Sequence, residues 1–209
     1  MMGKATELIF VEGHSSDGTW EEVDRVVREH KGLVTVRGFK QDGKGKGDAL
    51  HKGIAAATGD IIVIYDGDYT VHPGELPKLY EALASGKAEF VNGSRLVYPM
   101  QKGAMRLLNL IGNRIFSVMF SWLFGQKLVD TLSPLKAFFR EDARYMTTRA
   151  DPFGDFDLFL GGARCQRKMR EVPVHYLERT YGTTKLSPFG HGWQLLKLFW
   201  FGTRLLKWI

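Results

Sequence analysis

The chain has 209 residues, a single cysteine and a formal net charge of +6. That length is enough for one domain with a sizeable core, and the lone Cys165 excludes an internal disulfide and any multi-cysteine metal site and fits a reducing compartment. An isoelectric point near 9.4 favours anionic partners, and no uncharged apolar run of about eighteen residues offers a confident membrane span. The first seven residues show no apolar stretch of the kind a signal peptide carries.

In chain order, Glu7 to Glu12 reads as a buried strand running into the turn-rich loop Gly13-His14-Ser15-Ser16-Asp17-Gly18-Thr19. Thr19 is placed to cap a helix, with Glu21 and Glu22 in its favourable first turn and Val23, Val26 and Val27 as its apolar stripe. A short strand is expected over Leu33–Val36, then a loop with Gly43, Lys44, Gly45, Lys46 and Gly47, then a helix through Ala57. That loop offers backbone N–H groups, two ammonium groups and a helix N-terminus, which suit an anion. It lacks the Gly-Lys-Ser/Thr ending of a Walker loop, and a plain solvated loop explains it equally well.

Ile61 to Ile64 is a β-branched run, hence a buried strand, and it stops at Asp66-Gly67-Asp68. Two carboxylates at a strand end, one on each side of a glycine, suit a divalent cation that keeps waters and shares positions with phosphate. Ordinary turn chemistry accounts for the same tripeptide. A helix is expected over Glu75–Ser85, a strand over Ala88–Asn92, another over Leu135–Phe139, and an edge strand over Glu171–Val174 because of Pro173. Strands alternating with helices predict an α/β fold with a mostly parallel sheet. Asp151, Asp155 and Asp157 precede a further helix, which Asp155 is positioned to cap.

Two segments stand apart. Residues 104–124 are strongly apolar, interrupted by Arg106, Asn109, Asn113 and Arg114. In the terminal segment 192–209, Leu195, Leu198, Phe199, Leu205, Leu206 and Ile209 share one helical face, and Lys197, Arg204 and Lys207 the other, with Trp193, Trp200 and Trp208 between. Basic residues opposite an apolar face, with tryptophans, describe a helix lying in a membrane interface; a core-docked helix is the plainer reading. The expected organisation is one domain over 1–191 followed by an amphipathic interface helix over 192–209.

Taken together these pieces resemble glycosyltransferase family 2 with its GT-A fold, and most closely its polyprenyl- and dolichyl-phosphate mannose synthase branch. The resemblance covers most of the chain. It rests on Val11-Glu12-Gly13-His14-Ser15-Ser16-Asp17-Gly18-Thr19, on Gly45-Lys46-Gly47-Asp48-Ala49-Leu50, and on Asp66-Gly67-Asp68 as the family's D-x-D. Asn92-Gly93-Ser94-Arg95, Glu171-Val172-Pro173-Val174 and Arg179-Thr180-Tyr181-Gly182-Thr183-Thr184-Lys185 follow in the family's order.

The resemblance implies transfer of a sugar from a GDP- or UDP-linked donor to a polyprenyl phosphate, with Mg²⁺ or Mn²⁺ held by Asp66 and Asp68 and Thr70 at the place of a third ligand. It implies that Glu12, Asp17 and Lys46 lie on the nucleotide side and that Arg179 and Lys185 close over the diphosphate. Arg95 and Arg106 fall near positions that receive an acceptor phosphate. An ionised acceptor phosphate needs no strong base; for a hydroxyl acceptor, Asp130 or Asp157 is the candidate base. With the family in view, residues 104–124 join the terminal helix as an interface element, and the expected location is peripheral, at the cytoplasmic face of a membrane.

The resemblance begins at the family's second strand, so a central strand and part of the base site are expected to be missing from the sheet. Gly13 stands where the family often has a second aspartate, and Pro134 where it often has glycine. Two rivals follow: the same fold acting on a soluble or glycan acceptor, and a truncated transferase that only binds membrane. Nucleic acid is not an expected partner, because the aromatics cluster in the apolar terminal helix rather than along a basic groove. A homo-oligomer is compatible with the sequence.

Overall fold

The computed structural model describes residues 5–99, 107–146, 151, 153–178 and 188–207, and, of these, the side chains of all but 188, 189 and 191. Strands β1 (Glu7–Glu12) and β2 (Thr35–Lys40) form one parallel pair. Strands β3 (Ile61–Ile64), β4 (Phe90–Ser94), β5 (Lys136–Phe139) and β6 (Met169–Pro173) form a second sheet in the order β3-β5-β4-β6. β4 and β6 are parallel, and β5 runs antiparallel to both of its neighbours, so β3, β4 and β6 point the same way. Helices α1 (Thr19–Glu29), α2 (Lys46–Ala56), α3 (Leu76–Ala84), α4 (Leu107–Phe124), α5 (Asp155–Arg164) and α6 (Pro188–Leu206) flank the sheets.

Side-chain alternation along the strands builds two apolar layers. Ile62, Phe90 and Phe138 face a cluster filled by α2, α4, α5 and α6. Their neighbours Val63, Val91 and Ala137 face a second cluster closed by Leu79 and Leu83 of α3. Phenylalanines carry much of the first layer: Phe120 of α4 lies 4.5 Å, centroid to centroid, from Phe156 of α5 and 5.8 Å from Phe199 of α6. Burying so much aromatic area is what fixes α6 to the body of the fold.

Most expected elements stand where the sequence put them; β2 does not. It begins two residues later and ends four later than the Leu33–Val36 expectation, and Leu33 is fully exposed. Register explains the shift, since Thr35–Lys40 pairs with all six residues of β1. Gly38 continues the strand because α1 presses on it: a Cβ there would sit 2.8 Å from Val23 Cγ1.

Among the described residues the two sheets share no ladder. Glu7 Oε1, at the foot of β1, accepts the Thr58 N–H at 2.6 Å and the Gly59 N–H at 2.9 Å just before β3. α2 lies against β1 and places Leu50 and Ile54 in the cluster that holds Ile62 of β3.

The terminal helix differs from its expected orientation. Leu195 and Leu198, expected to face a membrane, are buried against α4 and α5. The outward face instead carries Trp193, Leu196 and Trp200, with Lys197 and Arg204 over the indole rings. α4 is likewise two-faced. Phe116, Phe120 and Leu123 are buried, while Leu107, Leu108, Ile111, Ile115, Val118 and Trp122 are exposed along the other side. By length and composition alone, α4 is long and apolar enough to cross a membrane.

Candidate active site

The carboxylates of Asp66 and Asp68 lie in a turn just past β3, where the β-branched run gives way to Gly67. Tyr69 takes a left-handed backbone (φ 57°), an uncommon conformation for a large side chain. That bend returns Thr70 to Asp68, whose Oδ1 accepts the Thr70 N–H at 3.1 Å and the Thr70 hydroxyl at 2.7 Å. Thr70 is buried, with its hydroxyl directed at Asp68. Here it orients that carboxylate.

Asp66 faces a cation supplied by the glycine–lysine loop. Lys46 Nζ lies 3.0 and 3.1 Å from the two Asp66 carboxylate oxygens and 3.1 Å from Asp155 Oδ2. Asp155 in turn lies 3.5 Å from the fully buried Lys136 Nζ, which also donates to the Ser133 carbonyl and lies 4.8 Å over the Phe159 ring. Two glycines make the meeting possible. Gly154 adopts φ 76°, and a Cβ there would approach Gly47 Cα to 3.2 Å, so the N-termini of α2 and α5 nearly touch.

The electrostatics follow from this packing. Burial raises the Asp66 carboxyl above the usual aspartate range, although Lys46 pulls the other way. Burial opposes the Lys46 ammonium too, but Asp155 and Asp66 outweigh it and its pKa is raised. Against burial, Lys46 and Lys136 hold Asp155 below its ordinary value, whereas burial depresses Lys136. Asp155 was expected as a helix cap. The cap position is held by Gly154, and Asp151 from before it accepts the Phe153 and Phe156 N–H groups at 3.0 and 2.9 Å.

Two carboxylates at a strand end, with waters and a diphosphate completing the shell, are a suitable donor set for Mg²⁺ or Mn²⁺. The Lys46 ammonium seated against Asp66 shows that the position already accepts a cation. Among the described residues no group of three or more His, Cys, Asp or Glu is assembled for a metal, so any ion here relies on this pair.

The nucleotide-side residues are divided between ligand and scaffold. Glu12 is buried at the end of β1, accepts the Ser15 N–H at 2.5 Å, and leaves Oε2 buried without a hydrogen-bond partner. The bond from Ser15 holds its pKa below the usual range. Asp17, by contrast, accepts the Thr19 N–H at 3.2 Å and hydroxyl at 2.5 Å, so it fastens the start of α1. Gly18, with φ 80°, stands at the cap position expected for Thr19.

Three further candidate residues are enclosed by the fold. Arg95 and Asp130 are buried together: Arg95 Nε and Nη2 each donate to Asp130 at 2.8 Å, and the Arg95 N–H adds a third bond at 2.9 Å. Arg95 is thus spent on Asp130 rather than turned toward an acceptor phosphate. Against burial, that arginine holds Asp130 well below the usual carboxylate range, so Asp130 is a poor proton acceptor. Asp157 is fully buried in the first turn of α5, where Oδ1 accepts the Asp151 N–H at 3.2 Å, and it is no surface base either. Arg106, Arg179 and Lys185 lie outside the described residues.

Sequence reasoning missed what surrounds Asp130. Asn113, Ser117 and Ser121, four residues apart on the core side of α4, bond to Asp130 Oδ1, the Val129 carbonyl and the Leu128 carbonyl at 2.7, 2.6 and 3.0 Å. Glu171 accepts the Val129 and Asp130 N–H groups, each at 2.8 Å. The spacing of three small polar residues inside an apolar helix was the available signal.

Known proteins are similar to this chain in sequence and in fold. The chain is 32% identical to the glycosyltransferase AglJ of Haloferax volcanii over 188 residues, 88% of this chain and 59% of AglJ. It is 29% identical to a dolichyl-phosphate hexose transferase of the same organism, covering 84% of this chain and 74% of that protein. Over 97 residues it is 32% identical to the dolichol-phosphate mannosyltransferase of Pyrococcus furiosus, of which that span is 26%. The chain thus spans little more than half of AglJ. Glucosyl-3-phosphoglycerate synthase from Mycobacterium tuberculosis, solved with Mn²⁺, UDP-glucose and glycerol 3-phosphate, has the same fold, with a TM-score of 0.64 at 17% identity over 96% of this chain and 80% of that one. The description Glycosyl transferase family 2 matches residues 2–150. With the GT-A arrangement and its aspartate pair in place, this chain belongs to glycosyl transferase family 2.

Proposed function

We propose that this chain carries the transferase site of an enzyme that moves a sugar from a nucleotide-sugar to a polyprenyl phosphate, with a divalent cation, at a membrane surface. The observation that carries the reading is the placement of Asp66 and Asp68 just past β3, with Lys46 against Asp66. Asp66 and Asp68 would hold Mg²⁺ or Mn²⁺, which supplies positive charge for the leaving diphosphate when bound. Lys46 adds a second positive charge beside it, and Glu12 presents an unsatisfied buried oxygen to the nucleotide side.

The acceptor class follows from what the bases do. Asp130 and Asp157 are both buried and hydrogen-bonded, so neither is available to deprotonate a hydroxyl. A phosphate monoester arrives already ionised and needs no such help. The names of the Haloferax and Pyrococcus relatives, dolichyl-phosphate hexose transferase and dolichol-phosphate mannosyltransferase, support the same acceptor. The exposed apolar faces of α4 and α6, with their tryptophans and basic rims, support residence on a membrane. The unpaired Cys165 suits the reducing, cytoplasmic side.

The lack, among the described residues, of a ladder joining the β1–β2 pair to the four-stranded sheet favours a second reading, a chain that keeps the membrane face but binds donor poorly. One experiment separates the two. The purified chain is titrated by calorimetry with UDP-glucose and GDP-mannose, with and without Mn²⁺, alongside Asp66→Ala and Asp68→Ala. The transferase reading expects metal-dependent binding of one donor, lost in both variants, and transfer to dolichyl phosphate in vesicles but not to a soluble sugar. A folded chain that binds neither donor refutes it and leaves the membrane-binding reading standing.

A further inference from the structure

The ammonium of Lys46 sits where a divalent cation would compete with it. Nζ is nearly equidistant from both Asp66 oxygens, at 3.0 and 3.1 Å, and is anchored from behind by Asp155 Oδ2 at 3.1 Å. Asp66 and Asp155 are paired with Lys46 and Lys136, and Asp68 adds a further negative charge that acts on Asp66. Without Lys46, Asp66 would face Asp155 and Asp68 with no adjacent cation, a costly arrangement for a half-buried carboxylate. The lysine is held by more than chance, because the close approach of Gly47 and Gly154 sets the N-termini of α2 and α5 side by side and brings its two partners together.

We infer that Lys46 is a tethered counter-ion that neutralises Asp66 in the metal-free chain and yields it to the divalent cation, and that Asp155 is the positioning residue that keeps Lys46 beside the site once displaced. This rests on the metal-dependent reading above. Lys46 exchanges one partner for another without leaving: it gives up Asp66 to the metal, keeps Asp155, and turns its ammonium toward the donor diphosphate. No bond is made or broken covalently. The arrangement keeps the aspartate pair folded and charged in the absence of metal, and it makes metal and diphosphate arrive as mutually supporting ligands, since the diphosphate gives the displaced ammonium a new partner.

The test is Mn²⁺ binding to the full chain without nucleotide, read by the loss of the free-ion electron paramagnetic resonance signal. Lys46→Met removes the competitor, so the dissociation constant for Mn²⁺ should fall by about fivefold, while UDP and GDP bind more weakly in the presence of Mn²⁺. Asp155→Asn leaves Lys46 with Asp66 alone, so Mn²⁺ should bind more weakly by a similar factor. The decisive arm is the double variant. If Asp155 acts through Lys46, Asp155→Asn has no effect on Mn²⁺ binding in the Lys46→Met background.

Equal Mn²⁺ affinity in wild type and Lys46→Met, or an undiminished Asp155→Asn effect in the double variant, overturns the inference while leaving the metal site intact. Wild-type chain that binds no Mn²⁺ alone overturns the inference, and one that binds none even with UDP or GDP present overturns the underlying reading as well. Circular dichroism melts accompany each protein because Asp155 also faces the buried Lys136. If Asp155→Asn does not fold, Asp155→Glu replaces it. By moving the anchor it should shift Mn²⁺ affinity only when Lys46 is present, and a shift that persists in Lys46→Met refutes the inference.

Discussion

Arg95 and Asp130 clasp each other through three hydrogen bonds of 2.8, 2.8 and 2.9 Å in a place with no access to solvent for the carboxylate. The pair fastens the end of β4 to the segment before β5, and Asn113 adds the inner face of α4 to the same carboxylate. A buried pair broken on one side leaves an uncompensated charge, which costs about 3–5 kcal/mol. Asp130→Ala is therefore expected to lower unfolding stability by that amount in denaturant titration, and Asn113→Ala by about 1–2 kcal/mol. A catalytic base would behave otherwise: its alanine variant would melt like wild type and fail only in turnover.

The same pair shows where sequence reading reached its limit. Strand and helix positions followed from local chemistry, because β-branched runs, glycine–aspartate turns and 3.6-residue stripes act over a few neighbours. The aspartates past β3 were legible for that reason, since a strand end and two carboxylates are read within eight residues. Arg95 and Asp130 are 35 residues apart, and nothing local says that one satisfies the other. Lys46 and Asp155 are 109 apart, and only the packing of two glycines brings them together. The apolar face of α6 was visible as a stripe, yet a stripe does not say whether core or membrane receives it; the phenylalanines of α4 and α5 decided for the core.

Glu7 makes stability depend on pH in a definite direction. Burial works against its carboxylate, but the Thr58 and Gly59 N–H groups and Arg37 lower its pKa from 4.5 to about 2. A carboxyl depressed in the fold contributes stability that is fully present above its unfolded pKa and is lost as pH falls through the folded one. Stability should thus decline between about pH 4.5 and pH 2 as Glu7 takes up a proton. Allowing for solvent screening, the contribution is about 1–2 kcal/mol. Glu7→Gln should lower stability at pH 7 by that amount and flatten this part of the profile, and an unchanged profile would assign the acid sensitivity to other groups.

Gly154 is constrained twice over, by a left-handed backbone at φ 76° and by Gly47 Cα 3.2 Å from where a Cβ would stand. Alanine in that conformation costs about 1–2 kcal/mol before any steric push. Gly154→Ala should lower the melting temperature and move the start of α5 away from α2, so that Lys46 loses Asp155. Gly86, also left-handed at φ 69° but with open space around it, is the control. Its alanine variant should show the backbone cost alone and leave Mn²⁺ binding unchanged.

Thr70 offers a test of orientation separated from charge. Its hydroxyl and N–H both bond to Asp68 Oδ1; valine keeps the shape and the N–H but removes the hydroxyl. Losing one orienting hydrogen bond to a metal-ligating carboxylate costs about tenfold in metal affinity or more. Thr70→Val should therefore weaken Mn²⁺ binding by roughly that factor, and Thr70→Ser should restore it. A hydroxyl that ligates the metal directly would give the same loss in valine, but serine would then shift the Mn²⁺ resonance parameters rather than reproduce wild type.

The outward faces of α4 and α6 lie side by side, since Phe199 of α6 meets Trp122 of α4 at 6.0 Å between ring centroids. Together they expose Ile111, Ile115, Val118, Trp122, Trp193 and Trp200, with Trp122 59% and Trp200 53% exposed. An apolar surface this continuous is unusual on a protein that meets only water. Its cations flank the indoles: Lys207 lies 5.4 Å over Trp122 and Arg204 5.3 Å over Trp200; on the membrane reading proposed above, the indoles would sit at headgroup depth while the charges reach lipid phosphates. Sedimentation with vesicles containing phosphatidylglycerol should capture the chain, and Trp122→Ala with Trp200→Ala should weaken capture by about tenfold or more. Replacing Lys197, Arg204 and Lys207 by glutamine should reduce binding to anionic vesicles far more than to neutral ones, and added salt should mimic that loss. If a second copy of the chain covered this face instead, the tryptophan variants would turn a dimer into a monomer in light scattering and leave vesicle capture unchanged.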